Sequence, residues 1–366
     1  MFSSQNAKQA DMCRFCWMCR HICPVAGATG SEGWGPRARG LMVSMIERGT
    51  PYDAEIADAM YHCTMCDACA NDCVTGWRPT DFIREARTLA VVNEIAPPAV
   101  MKEIDNILSC GSIYGEAADP ALLAAIDALP REAEVLLYLG QTARSRAVDS
   151  ALAMMKLLKK AGVSFTALRD EPPTGAFLGD LMGFTGDVQA AAQKAAAAIR
   201  EVGAKTVVAF SPYDCVMLRD SYAKWALLDG VQVVSAPAYL DELITAGRLT
   251  LSPVTLRASV QEPVKLTRGL GEIDPLLHLV GALGVELLPL YLNGKMSRCV
   301  GTALMECLDP TVVRRMVGVR LDDARRIGSG VILTASPDDF DLMRRYARDD
   351  VRILDLFTLL DESCGG

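Results

Sequence analysis

The sequence lacks the features of several common protein classes. A spanning helix needs about 18–20 successive apolar residues, and the best candidate, Leu276 to Leu292, is interrupted by Glu286 and Pro289. A basic surface is not expected either, because the formal net charge is −8 and charged residues make up only 22% of the chain. These absences predict a protein without a membrane span and without a nucleic-acid partner.

Several chemical motifs are also missing. The chain has no glycine-rich dinucleotide fingerprint, no P-loop and no nucleophile elbow. Residues 1–5 lack the basic segment and apolar stretch of a secretory signal. The expected location is therefore the cytoplasm, with peripheral attachment to the cytoplasmic membrane face through a partner left open. In that reducing compartment, the 13 cysteines are not expected to form disulfides.

Most of these cysteines lie in two motifs of identical spacing. The first reads C-x2-C-x2-C-x3-C-P, and the second repeats the spacing with Val74 in place of the proline. The two sets are Cys13, Cys16, Cys19 and Cys23, and Cys63, Cys66, Cys69 and Cys73. Such spacing is typical of ferredoxins with two [4Fe–4S] clusters, so it predicts eight metal ligands. Zinc is the main alternative, but zinc sites pair two C-x2-C knuckles and leave no use for a third evenly spaced cysteine.

In two-cluster ferredoxins, the fourth cysteine of each motif ligates the other cluster. We therefore assign Cys13, Cys16, Cys19 and Cys73 to cluster 1, and Cys63, Cys66, Cys69 and Cys23 to cluster 2. His21 and His62 flank ligands and are expected to be packed or surface residues. Apolar side chains near the ligands are expected to keep water from the sulfides, and they are Phe15, Trp17, Met18, Ile22, Met65 and Val74.

The chain divides into a helical part and a mixed part. Residues 36–49 and 81–95 are predicted helices of a small ferredoxin domain, and Pro97-Pro98 is expected to begin a linker. Short apolar runs and amphipathic helices then alternate, which favours α/β layers. The predicted strands are 135–139 and 206–210, and the predicted helices are 146–161 and 190–202. The predicted fold class is α+β, with a helical two-cluster domain followed by an α/β region.

Two segments of the α/β region are similar in sequence. Residues 203–218 resemble 328–343, with Ser-Pro and Asp in matching places, and each segment is followed by a similar strand and helix start. This similarity predicts a duplicated unit, although strand–turn–helix segments also resemble one another by chance. The predicted domains are therefore 1–96, 97–248 and 249–366.

Twin cysteine motifs followed by a duplicated α/β region resemble the iron–sulfur subunits of glycolate oxidase and anaerobic glycerol-3-phosphate dehydrogenase, and the D component of heterodisulfide reductase. The segment 35–40, GPRARG, resembles the helix start that glycolate-type subunits carry between their motifs. Members of that family typically carry a cysteine-rich CCG signature in each α/β repeat. Here the corresponding segments read 173–175, PTG, and 298–301, RCVG, so the CCG domains are degenerate.

The resemblance implies an electron-transfer subunit. Its expected partner is an FAD-containing oxidoreductase subunit acting on a 2-hydroxy acid, and its expected carrier is a quinone or an electron-transferring flavoprotein. No catalytic residue is predicted in the chain itself. Two alternatives stay open: a catalytic subunit of heterodisulfide-reductase type, and a protein in which the clusters are only structural. The five other cysteines are expected to be buried apolar groups or incidental thiols, with further metal binding by Cys215, Cys299 or Cys307 left open.

Overall fold

The structure, a computed structural model, describes residues 2–364. The amino-terminal part is helical, and proline at the first helical position or an aspartate cap starts many of its helices. The helices are α1 (Ser4–Ala10), α2 (Met18–Ile22), α3 (Pro24–Thr29), α4 (Pro36–Glu47), α5 (Ala54–Tyr61), α6 (Ala68–Asn71) and α7 (Pro79–Val92). Helices α4 and α7 correspond to the two helices predicted in this part.

The prediction of a linker at Pro97-Pro98 is wrong. Pro97 is the N-cap and Pro98 the first residue of helix α8 (Pro98–Cys110). A proline costs nothing at this position, because the first N–H groups of a helix have no intrahelical partner. The chain therefore passes into the second part through a helix, followed by α9 (Pro120–Asp127).

The first sheet is parallel throughout, with strand order β2-β1-β3-β4. Its strands are β1 (Val135–Tyr138), β2 (Phe165–Thr166), β3 (Thr206–Ala209) and β4 (Gln232–Ser235). Val135 pairs with Phe165 on one side and with Thr206 on the other. The helices are α10 (Gln141–Ser145), α11 (Val148–Lys160), α12 (Ala176–Met182), α13 (Gly186–Glu201), α14 (Pro212–Val216), α15 (Tyr222–Lys224) and α16 (Ala236–Thr245), with a π-helical turn at Met217–Ser221.

The second sheet has the corresponding parallel order, β6-β5-β7-β8. Its strands are β5 (Arg257–Gln261), β6 (Glu286–Leu287), β7 (Val331–Thr334) and β8 (Arg352–Asp355). The helices are α17 (Asp274–Ala282), α18 (Ala303–Leu308), α19 (Pro310–Arg326), α20 (Pro337–Arg345) and α21 (Leu356–Ser363), with a π-helix at Lys265–Leu270 and a 3₁₀ turn at Gly294–Met296. The apolar stretch 276–292 therefore holds most of α17 and strand β6. Among residues 2–364, no helix is long and apolar enough to cross a membrane.

Apolar packing joins the three parts of the chain. Leu137 of β1 and Phe210, directly after β3, share a core with Leu333 of β7 and Phe357 of α21. The rings of Phe210 and Phe357 lie 4.7 Å apart. The opposite face of the first sheet packs with Tyr61 of α5 and its neighbours. A third core joins the first cysteine motif to the second sheet through Ile22, Cys23, Val300 and Met343. The helical part is thus held against both sheets. The predicted bounds at Met1 and Gly366 lie outside the described residues.

Candidate metal centres

The eight cysteines of the two motifs line two cavities of nearly equal size. Each cavity has about 360–370 Å³ of empty space, including its opening to solvent. One is lined by Cys13, Cys16, Cys19 and Cys73, and the other by Cys23, Cys63, Cys66 and Cys69. Each cavity therefore receives three cysteines from one motif and the fourth from the other. Four thiols around one cavity are the donor set of a [4Fe–4S] cluster.

The two motifs share an unusual backbone conformation. Phe15 and Trp17 have φ of +54° and +68°, and Met65 and Asp67, at the same places in the second motif, have +50° and +57°. The left-handed region is costly for such side chains. It lets the loop turn tightly, so that the backbone N–H two residues after each first cysteine donates to its sulfur at 3.4 Å. The local geometry therefore directs three cysteines of each motif toward one cavity.

The fourth cysteines are oriented by the chain that follows them. Cys23 is the N-cap of α3, and its sulfur accepts from the N–H of Ala26 at 3.5 Å. The sulfur of Cys73 lies 3.2 Å from the hydroxyl oxygen of Thr75. Burial and the neighbouring thiols raise the pKa of Cys19 to about 12, and burial raises that of Cys23 to about 11. Crowded, buried thiolates repel one another, so iron would supply the positive charge that they need.

The two cavities differ in their exposure. At the first, Cys16 is exposed and Cys13 and Cys73 are half-buried. At the second, Cys23, Cys66 and Cys69 are buried, with Cys63 half-buried. Of the apolar side chains expected to keep water from the sulfides, Ile22 and Met65 are buried. The others are exposed, and they are Phe15, Trp17, Met18 and Val74. This apolar shield is therefore largely missing from the first cavity.

Four cationic side chains hold the start of the second motif. Each donates to a different backbone carbonyl, and two of them, Arg39 and Arg87, are almost fully buried. The pairs are Arg39 with His62, Arg87 with Cys63, Lys265 with Met65 at 3.0 Å, and Arg268 with Cys66 at 2.7 Å. The last two come from the π-helix at 265–270, so the second sheet's unit contributes directly to this cavity. Sequence analysis missed all four cations, and Lys265 and Arg268 lie about 200 residues from the carbonyls that they contact.

His62 has a packing role, as expected. Its Nδ1 lies 3.0 Å from the carbonyl oxygen of Asp58, and its ring stacks on Trp34 at 4.1 Å. His21 is exposed. Both observations agree with the interpretation of these histidines as packed or surface residues.

One further cysteine approaches the second cavity. Cys299 is buried and shares a core with Cys23 and Cys66. The closeness of the two thiols lowers the pKa of Cys66 and raises that of Cys299. The sequence predicted a buried apolar group or an incidental thiol at Cys299 and left metal binding open, and its only signal was its place in the degenerate CCG segment. Cys215 and Cys364 are buried, whereas Cys110 and Cys307 are exposed.

Comparison with known proteins agrees with this geometry. Residues 9–77 match the family model described as "4Fe-4S dicluster domain". The chain is 24% identical to a "Probable membrane-anchored ferredoxin" of Chromohalobacter salexigens over 89% of its own length, and it spans 55% of that relative. It is 22% identical to the D component of dihydromethanophenazine:CoB–CoM heterodisulfide reductase of Methanosarcina barkeri, over 98% of this chain and 94% of that protein.

Among solved structures, glutamate racemase isoform RacE1 of Bacillus anthracis matches with a TM-score of 0.31 and 11% identity, over 63% of this chain and 79% of that one. Likeness at this level carries no inference. The family model and the curated relatives do support an inference, because they match the region that contains both cavities. The amino-terminal domain therefore carries two [4Fe–4S] clusters, and the chain as a whole is similar to the D component of heterodisulfide reductase.

Proposed function

We propose that this chain is the electron-transfer subunit of a flavoprotein oxidoreductase complex, passing single electrons between a flavin subunit and a quinone or other carrier. When bound, a [4Fe–4S] cluster takes up and releases one electron at a time. The observation that carries the proposal is the pair of four-cysteine cavities, one opening at the surface and one buried beneath the α/β units. Such a pair suits electron uptake at one site and release at the other.

The ligand assignment is part of the proposal. Cys13, Cys16, Cys19 and Cys73 would hold cluster 1, and Cys63, Cys66, Cys69 and Cys23 would hold cluster 2. The grouping is supported by the cavity that each set lines. The crossed ligation ties the two motifs together, because the first motif supplies Cys23 to cluster 2 and the second motif supplies Cys73 to cluster 1. The two clusters are thereby kept close in space.

The α/β region would be a duplicated scaffold with the bounds 97–248 and 249–366, following a ferredoxin domain of residues 1–96. The duplication is supported by the matching strand orders of the two sheets. The similar segments 203–218 and 328–343 also include β3 and β7, which occupy the same place in their two sheets. In this proposal the region has lost the CCG ligands and now positions the ferredoxin domain and binds the partner subunits.

A catalytic function of heterodisulfide-reductase type is the second candidate. It is favoured by the relatives named for that enzyme and by the buried Cys299 next to Cys66. It requires several converging thiolates in the α/β region. The five cysteines after residue 97, however, show no ligand spacing among themselves. Electron transfer through the amino-terminal domain needs no such group.

Anaerobic affinity purification from the native host tests the proposal. We expect the tagged chain to copurify with a flavin-containing subunit, and a 2-hydroxy acid added to the complex to bleach the iron–sulfur absorbance. A Cys16→Ala chain, which lacks one ligand of cluster 1, should still bind the flavin subunit but should not reduce the carrier. Purification without flavin, or disulfide reduction by the isolated chain, would contradict the proposal.

A further inference from the structure

The surface around cluster 1 exposes an unusual number of large apolar side chains. We define the cluster 1 face as the exposed residues around Cys16, which are Phe15 (51% exposed), Trp17 (46%), Met18 (46%), Leu41 (42%) and Met45 (49%). Cys13 and Phe15 also line an open groove with Leu41, beside the cluster 1 cavity. Contiguous exposed apolar groups mark interaction sites.

The loop itself does not require this exposure. Met65 has the same left-handed conformation at the equivalent place in the second motif, yet it is only 1% exposed because it packs in the core of the helical domain with Met60 and Phe82. The same loop therefore has a covered apolar side chain at one cluster and an uncovered one, Phe15, at the other. Backbone conformations of this kind persist mainly at functional sites.

Arginine side chains outnumber carboxylates in the lining of the cluster 1 cavity and the adjoining groove, although the whole chain has a net charge of −8. The charged residues that line the cavity and the adjoining groove are Arg14, Arg37, Arg48 and Asp11. Arg48 pairs with Asp11 at 3.3 Å, and Arg37 pairs with Glu32. Within the described part of the chain, Arg14 has no ion pair. Its positive charge therefore remains available to a partner.

One of these arginines, Arg37, also holds the aromatic side chains in place. The guanidinium of Arg37 lies 3.6 Å from the centre of the Trp17 ring and 5.7 Å from that of Phe15. Cation–π contacts of this kind orient both groups. The cluster 1 face is therefore organised, with flat rings next to positive charge at the most exposed cysteine.

We propose that the cluster 1 face is the docking surface for an acidic one-electron carrier protein, which approaches cluster 1 through Phe15, Trp17 and Arg14. The inference rests on the proposed function, since it names the kind of partner at one end of the electron path. An acidic partner would be repelled by the rest of this acidic chain and attracted here, which steers it to the exposed cluster. Small interfaces of this type suit a transient redox encounter.

Stopped-flow electron exchange with a plant-type [2Fe–2S] ferredoxin, an acidic carrier, tests the proposal. The two proteins are mixed anaerobically in whichever direction their measured midpoint potentials make favourable. We expect the second-order rate constant to fall with increasing salt, and to fall about tenfold in Arg14→Glu and in Leu41→Asp at low salt. Lys159→Glu and Val92→Asp make the same chemical changes at exposed positions on α11 and at the end of α7, and should leave the rate unchanged.

Iron content and EPR of every variant separate two failures. Variants that keep both clusters but exchange electrons as fast as the wild type would overturn the docking surface and leave the proposed function standing. A wild-type chain without redox-active clusters would overturn the proposed function itself. Loss of binding to phosphatidylglycerol vesicles in Arg14→Glu, with unchanged ferredoxin exchange, would assign the face to a lipid surface instead. Self-association abolished by Leu41→Asp, again with unchanged exchange, would assign it to a second copy of the chain.

Discussion

Removal of the Lys265 ammonium should lower the reduction potential of cluster 2. Lys265 donates to the carbonyl of Met65, which lies between two proposed ligands, and is 14% exposed. A positive charge at this position stabilises the added electron, because the reduced cluster carries one more negative charge. Lys265→Gln keeps a hydrogen-bond donor and removes only the charge.

The size of the effect follows from Coulomb's law. A unit charge about 8 Å from the added electron, at an effective dielectric constant of ~20, changes its energy by about 2 kcal/mol. For a one-electron couple, this energy corresponds to roughly 90 mV. The side chain is mostly but not wholly buried, so screening by solvent reduces the expected shift to about 50–80 mV.

Asp180 provides the opposite test. Its carboxylate lies 3.7 Å from Lys265 Nζ and 3.4 Å from Arg84, and it lines a small cavity with Cys63. Asp180→Asn removes a negative charge and should raise the potential of the same cluster. EPR-monitored redox titration measures both shifts, and Lys159→Gln, on an exposed face of α11, is the control. Shifts of the same sign in the two variants, or an equal shift in the control, would refute the electrostatic argument.

Three further predictions concern ligands, packing and pH. Cys73→Ala should lose the cluster that is insensitive to Lys265→Gln, whereas Cys23→Ala should lose the sensitive one; the reverse result in iron analysis and EPR would contradict crossed ligation. Arg87→Met should lower the free energy of unfolding by about 3–5 kcal/mol, since the carbonyls of Met60 and Cys63 lose a buried donor. Urea unfolding measures the change. The control is Arg200→Met at an exposed position, which should lower the free energy of unfolding by under about 1 kcal/mol. Burial raises the pKa of Asp214 to about 8, well above its unfolded value of ~4. The stability of the protein should therefore fall as the pH rises between these two values. Asp214→Asn should remove part of that fall, which urea midpoints measured at pH 5 and pH 8 report.

The helical domain could be largely predicted from sequence because its signals are local. The cysteine spacing has a direct mechanical meaning, and a proline start with a nearby stop marks α4 and α7 to within a few residues. Strands β1 and β3 were predicted for a similar reason, since both are short and largely apolar. Pro98 was misinterpreted because the same residue can either end one helix or begin the next.

The surroundings of cluster 2 could not be predicted, because they are assembled from distant parts of the chain. Lys265 and Arg268 reach carbonyls about 200 residues away in sequence. Their positions depend on how the second sheet's unit packs against the amino-terminal domain, and a single sequence does not encode that packing in any local pattern. The approach of Cys299 to Cys66 has the same origin. The asymmetric exposure of Phe15 and Met65 likewise follows from tertiary packing, since their local conformations are alike.

The central claim is that the amino-terminal domain binds two adjacent [4Fe–4S] clusters and that the α/β region adds no third centre. Iron and acid-labile sulfide analysis of anaerobically purified protein, with EPR after dithionite reduction, tests it most directly. The account predicts about eight iron and eight sulfide per chain, with the broadened EPR signal of two interacting clusters. Appreciably more iron would implicate Cys215, Cys299 or Cys307 and favour the catalytic function. Zinc in place of iron would contradict the account.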